Sequence, residues 1–393
     1  MIPDSHSNTV YFSYKLREKY YHCYSILRSI LNDNYIEFDD LRNTNDIWCR
    51  DYMPVQVTND KFVLFNYSPD YLKGFEKSIT DNEAICKTLG INYIKSPLKI
   101  DGGNIVRSAN KVILTDKIFK ENPKIEKKTL IEILAKLFET ENIIIIPAVP
   151  YDKLGHADGI VRFLDDNTVL VNKYQNTKES TTFQQNLFGI LGKHGLNIIQ
   201  IPYYPDYKKT SEGLFTAMGC YINYLQVNKH IFLPSFGNEE QDEEAFLCFE
   251  RIFGKNVFQI DASEIALKGG VLNCISWNLY DSELTYNNNY QQNFSRNQKK
   301  KYVSDHVCFR LFEDEFNDIE KGFSKLWNKR QKGIIGDGDL KNYVYAYLTK
   351  LNRKPVIPQY VVDGVVDNLF DYLIGVGKNE DISYLLDNAK IYC

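Results

Sequence analysis

The chain has 393 residues, of which 44% are hydrophobic and 25% charged, with a formal net charge of -4; this is an ordinary globular composition with enough apolar material for a sizeable core. The length exceeds that of a usual single domain, so one large domain with an appendage and two domains are both open. Charges of both signs are interspersed, and the single basic run, Lys299, Lys300 and Lys301, is too short for a phosphate-binding face, which excludes nucleic acid as the expected partner.

The opening MIPDSHSNTVYFSYK lacks the charged and apolar regions of a secretory signal. No stretch reaches the roughly 18 uninterrupted apolar residues of a membrane span, the best candidate being the strand-sized IIIIPAV at 143–149. The expected location is the cytoplasm, with no membrane partner. Eight cysteines at 23, 49, 86, 220, 248, 274, 308 and 393 form no CxxC pair, which argues against a disulfide framework or a zinc module and leaves most of them as reduced, buried thiols.

Along the chain, short branched or aromatic runs bounded by turn residues predict strands at 10–14, 62–67, 111–115, 142–148, 168–174, 196–202, 230–236 and 257–261. Helices fall between them. One covers 129–139, with Leu130, Ile133, Leu134 and Leu137 on one face; another covers 243–254, with Phe246, Phe249 and Phe253 at helical spacing and Gly254 as the stop. Alternation of this kind fits a doubly wound α/β sheet, but no glycine-rich phosphate loop follows an early strand, and the polar motifs are dispersed at 48–51, 101–104, 156–158, 219–223 and 269–274. Sites scattered in this way converge in rings or barrels.

After Trp277 the texture changes. A catalytic domain is expected over 1–280, a polar Asn/Gln-rich linker over 281–302, and a mostly helical C-terminal extension over 303–393. The extension carries aromatic stripes such as Phe312, Phe316, Ile319 and Phe323, which are expected to pack as core.

Five short runs hold the candidate chemistry. Cys274 follows two glycines in GGVLNC; taken alone it reads as a buried structural thiol. His156 and Asp158 in GHADGIVRF project to one face if the segment is extended, although taken alone the run reads first as a surface strand start with Asp158 capping a turn. In NDIWCRDYMP, Trp48 beside Asp51 suits a planar cation, an Arg50–Asp51 pair at a turn being the alternative. Asp101 precedes the glycines of DGGN, either as an exposed turn residue or as a substrate contact, and Asn223 precedes a strand in CYINYLQVN.

Together these runs carry a resemblance. WCRDYMP, IDGGN, GHADGIVRF, CYINYLQVN, LPSFGNEEQDEEA and GGVLNCISWN resemble, in order, the motifs of the agmatine deiminase and bacterial peptidylarginine deiminase family. The match spans roughly residues 10–278 and departs from the family at Met53, where Gly is usual, at Asp101, where agmatine deiminases tend to have Glu, and at Asn273, where His commonly precedes the nucleophile. The resemblance implies the pentein fold, a five-bladed αβ-propeller whose αβ units surround a pseudo-fivefold axis with the active site at its centre.

The resemblance further implies Cys274 as nucleophile, His156 as general acid and base, Asp51 and Asp158 as guanidinium anchors and Asn223 as an orienting group, with Trp48, Asp101 and Arg162 binding substrate. Guanidinium is a poor electrophile, so the expected reaction is thiolate attack, loss of ammonia, a covalent thiouronium and its hydrolysis to a ureido product, without metal or other cofactor. Agmatine, converted to N-carbamoylputrescine, is the expected substrate. A peptidyl arginine is the alternative partner, and a non-catalytic guanidinium-binding scaffold the non-enzymatic one. Oligomeric state is left open, a homo-oligomer included.

Overall fold

The computed structural model describes residues 1–69, 72–150, 152–175 and 177–281, with five scattered positions beyond them. The expected linker and helical extension lie outside the described residues, apart from Asp281 and those positions. Residues 1–282 form one compact unit.

That unit repeats one supersecondary pattern five times. A strand turns back antiparallel on the next, a helical crossover follows, and a third strand returns parallel to the second. The sheets are Val55–Gln56, Phe62–Asn66 and Tyr93–Lys99; Val106–Arg107, Val112–Thr115 and Ile143–Ile146; Val161–Asp165, Thr168–Asn172 and Asn197–Ile201; and Leu225–Val227, His230–Ser235 and Val257–Asp261. The fifth joins distant parts of the unit: Thr9–Ser13 runs parallel to Glu37–Leu41 and antiparallel to Ser276–Leu279, pairing Thr9 with Leu279 and Phe12 with Ser276. Five separate three-stranded sheets therefore replace the continuous doubly wound sheet that the alternation alone would permit. All eight sequence-predicted strands are present with ends within a residue or two, those placed at 142–148 and 168–174 each stopping two residues early, at Ile146 and Asn172.

A parallel return needs a long crossover, and a helix that buries one stripe on the sheet supplies it. In Tyr21–Asp33 the buried residues include Cys23, Tyr24, Leu27 and Leu31. Lys178–Lys193 buries Phe183, Leu187 and Leu191, and begins in a capping box between Thr177 and Ser180. The expected stripe of Lys127–Phe138 is present, with Leu130 and Leu134 fully buried and Ile133 and Leu137 packed against the same core. Glu239–Phe253 stops at Gly254, whose φ of 74° favours glycine. Asp242 in that helix accepts from the backbone N–H groups of Phe236, Gly237 and Asn238 and from the Tyr221 hydroxyl, which ties the loop before the helix to the segment carrying Asn223.

The repeat places the chemistry. Each polar motif ends two to four residues before the antiparallel strand of its sheet: Asp51 before Val55, Asn104 before Val106, Asp158 before Val161, Asn223 before Leu225 and Cys274 before Ser276. Equivalent places in five units meet at one centre, which explains a site assembled from segments far apart in the chain.

Candidate active site

The DGGN glycines permit the closest approach. A Cβ on Gly102 would lie 2.0 Å from the Arg50 carbonyl oxygen, and one on Gly103 would lie 2.7 Å from Asp51 Oδ1 and 2.8 Å from His156 Nδ1. Only hydrogen fits at either position. The Gly103 N–H donates to Asp51 Oδ1 at 2.9 Å, so this glycine both opens room for the site and anchors one of its acids.

Around that point the side chains converge. Cys274 Sγ lies 3.7 Å from Asp158 Oδ2 and 3.3 Å from Asn223 Oδ1. Asn273 Nδ2 donates to Asp158 Oδ2 at 2.7 Å, and the Asn273 N–H donates to the Asn223 carbonyl at 3.1 Å. His156 Nε2 is 3.0 Å from Asp101 Oδ2, while Nδ1 is 3.7 Å from Asp51 Oδ1. Asp101 is 1% exposed, so it is not the exposed turn residue that the sequence allowed; it backs the imidazole.

The electrostatics follow from burying three carboxylates together. Burial, reinforced by Asp101 and Asp158, outweighs the pull of His156 and raises the Asp51 pKa to about 6. Burial opposes the charge on His156, but Asp51 and the hydrogen bond to Asp101 overcome it and lift its pKa to about 9. Burial also acts against ionised Asp101, yet the imidazole and Lys117 hold its carboxyl below the usual range. For Cys274, burial and then the Asp158 and Asp51 carboxylates push the thiol well above its ordinary pKa. The resting site is therefore acid-rich around a protonated thiol, an arrangement that a cation would relieve. Among the described residues no three His, Cys, Asp or Glu side chains are arranged to hold a metal ion.

The expected residues divide into two groups. Cys274, His156, Asp158, Asp51, Asn223 and Asp101 are brought together, and Trp48 joins them: its ring edge would lie 2.6 Å from a Cβ on Gly270, and Cys274 Cβ 3.1 Å from the same point. Arg162 is held elsewhere. Its Nη2 donates to Asp4 Oδ2 at 2.8 Å, Nη1 donates to the Tyr224 carbonyl, and the guanidinium stacks 4.5 Å from the Tyr224 ring. Arg50 and Arg107 approach the same Asp4 at 3.7 and 3.4 Å. The four side chains line a cavity of about 230 Å³ that shares only Asp158 and Asn273 with the thiol cluster.

Sequence reasoning does not single out three further contributors to the site. Asn273, which enters it only as a departure from the family pattern, orients Asp158. Gly103 holds Asp51, and its place in DGGN is the signal. Lys117 lies 3.6 Å from Asp101 Oδ2; nothing in KIFKE distinguishes it from a surface lysine.

The fold and this centre define a five-bladed αβ-propeller with a cysteine, a histidine and carboxylates at its hub. Residues 16–279 match the profile of the Porphyromonas-type peptidyl-arginine deiminase family, and the chain belongs to that family, whose members are C–N hydrolases acting on amidines. A relative from Photobacterium profundum named "Putative agmatine deiminase" is 23% identical over 277 residues, covering 60% of this chain and 75% of that one. One of the same name from Legionella pneumophila is 27% identical over 207 residues, and the chain spans 59% of its length. Among solved structures, C. jejuni agmatine deiminase superimposes with a TM-score of 0.58 at 18% identity, covering 71% of this chain and 95% of that one.

Proposed function

We propose that the chain hydrolyses the guanidinium group of a small amine, agmatine in the first place, with Cys274 as nucleophile. The observation carrying this reading is the single thiol set 3.7 Å from one carboxylate of an acid-rich centre that also holds a paired imidazole. A guanidinium between Asp51 and Asp158 supplies the missing positive charge and, by the same charge, favours the thiolate.

The thiol proton is lost to solvent as the cation binds, and the thiolate sulfur attacks the guanidinium carbon. His156 protonates the departing nitrogen, the C–N bond breaks, and ammonia leaves behind a thiouronium on Cys274. Water adds to that carbon as the imidazole takes its proton, the C–S bond breaks, and the ureido product leaves the regenerated thiol. Because ionised Asp101 accepts from Nε2–H, Nδ1, the nitrogen facing Asp51, is the one that exchanges protons. Asn223 Oδ1 and Asn273 hold the thiol and Asp158 in register.

Agmatine is preferred because the relatives bear that name and because the reacting groups are each less than a tenth exposed, which suits a slender substrate. The test is ammonia release with mass analysis of products from agmatine, arginine and a blocked arginine peptide. The highest kcat/KM is expected on agmatine. A preference of more than about tenfold for the peptide, about 1.4 kcal/mol in transition-state binding, transfers the assignment to protein citrullination. Absence of ammonia from all three removes the hydrolytic reading.

A further inference from the structure

Behind the His156–Asp101 couple lies a second pair of charges that the reaction does not touch. Lys117 Nζ is 3.6 Å from Asp101 Oδ2, the same oxygen that His156 Nε2 meets at 3.0 Å. One helical turn on, Glu121 Oε1 is 3.3 Å from that ammonium, and Lys99 Nζ is 4.0 Å from the same Glu121 oxygen. Lys117 and Glu121 are 8% and 4% exposed at the side chain. Neither Glu121 oxygen has a hydrogen-bond partner in the structure, so its partners are charges.

The lysine stem is also a packing surface. A Cβ on Gly155 would lie 3.2 Å from Lys117 Cδ, and Gly155 has a φ of 58° immediately before His156. Its carbonyl accepts from Thr115 Oγ1 at 2.6 Å, two residues before the lysine. Burying an ammonium and a carboxylate costs several kcal/mol each unless they are paired, and an apolar side chain of similar length would fill the same space. The charge itself therefore needs an explanation.

The surroundings of His156 supply one. It faces carboxylates from three segments, Asp51, Asp101 and Asp158, with the Cys274 thiol across the centre and Glu121 behind. On the opposing side stand Lys117 and, beyond Glu121, Lys99. Burial is the largest influence lowering the His156 pKa; Asp51 and Asp101 raise it, and Lys117 lowers it again. The cation behind Asp101 therefore works against the two acids that hold the proton on the imidazole.

We propose that Lys117 and Glu121 form a positioning and charge-setting pair for the His156–Asp101 couple. Lys117 supports Asp101 as an anion, braces the Gly155–His156 turn and opposes proton uptake by the imidazole, while Glu121 tempers that opposition. The pair acts through His156 and touches no substrate. This inference rests on the reading of His156 as the proton carrier.

Opposite charges in one pair give opposite signatures. Lys117→Met keeps the stem and removes the cation, so His156 should titrate higher by about one unit, and kcat below its alkaline limb should fall about tenfold. Glu121→Gln leaves Lys117 less compensated, so His156 should titrate lower and the kcat limb should move to lower pH. Ring-labelled histidine NMR of the full chain reads the titration directly: the chain has 6 histidines, and His156→Asn identifies the signal. Shifts in opposite directions support the pair. Shifts in the same direction, or below about 0.3 unit in both variants, overturn it. Should Lys117→Met fail to fold, the near-isosteric Glu121→Gln decides alone. If the wild type releases no ammonia from any guanidine, the functional reading fails while the NMR titration still decides the pair.

Discussion

Two clusters of buried charge share the hub of this ring, and they are built in opposite senses. Around Cys274 stand Asp51, Asp101 and Asp158 with a single imidazole among them. Around Asp4 stand Arg50, Arg107 and Arg162. At Asp4 the protein supplies guanidinium groups to a carboxylate itself, whereas at the thiol it supplies carboxylates, and the proposed function has the guanidinium come from the substrate. The one carboxylate at Asp4 is fully countered, whereas the three carboxylates at the thiol outnumber the two cationic partners, His156 and Lys117, that stand beside them. The Asp4 carboxyl shows the satisfied case: burial works against its ionisation, yet the three guanidinium groups hold its pKa at about 2. Asp51, among other acids, is raised to about 6.

The largest effect that would break this contrast belongs to the thiol. Cys274→Ala is expected to lower ammonia release by about ten-thousand-fold while the thermal midpoint barely moves. Appreciable turnover by that variant would remove the mechanism.

The next substitutions separate function from stability. Asp158→Asn, which on the proposed mechanism weakens the hold on the guanidinium, should cut kcat/KM by about 100-fold or more and leave urea stability unchanged or slightly raised, because a buried like-charge repulsion is relieved. Asp4→Asn should do the reverse, costing about 2–4 kcal/mol in urea unfolding at pH 7 with turnover per folded molecule largely kept. If both variants lose activity and stability together, the two clusters are one unit and the contrast fails.

The smallest effect is in the acid limb. Because the folded Asp4 pKa lies below its unfolded value, its contribution is fully present above the unfolded pKa of about 3.9 and disappears as pH falls through about 2. The stability difference between wild type and Asp4→Asn should therefore shrink over that window and be flat from pH 5 to 7. A difference that instead grew on acidification would show that Asp4 is not held by the arginines.

Local chemistry makes part of this molecule legible in its sequence. Glycines, turn residues and branched runs are read over a few neighbours, so Leu130 and Leu134, the Gly254 stop and the strands at the middle of each sheet are visible in the chain. So are the motif segments that meet at the hub. The antiparallel strands Val55–Gln56 and Val106–Arg107 are two residues long and carry no usable periodicity, and the three acids of Glu37–Leu41 disguise a strand in which only Leu41 is buried. Tertiary structure alone decided where neighbouring side chains go: Arg50 reaches toward Asp4 while Asp51, its chain neighbour, faces His156. It also decided that Arg162 joins Asp4, that Lys117 backs Asp101, and that Ser276–Leu279 pairs with Thr9–Ser13. The physical reason is common to all of these. A charged side chain takes its role from the net charge and burial of groups tens to hundreds of residues away, and those are set only when five separate units close around one centre.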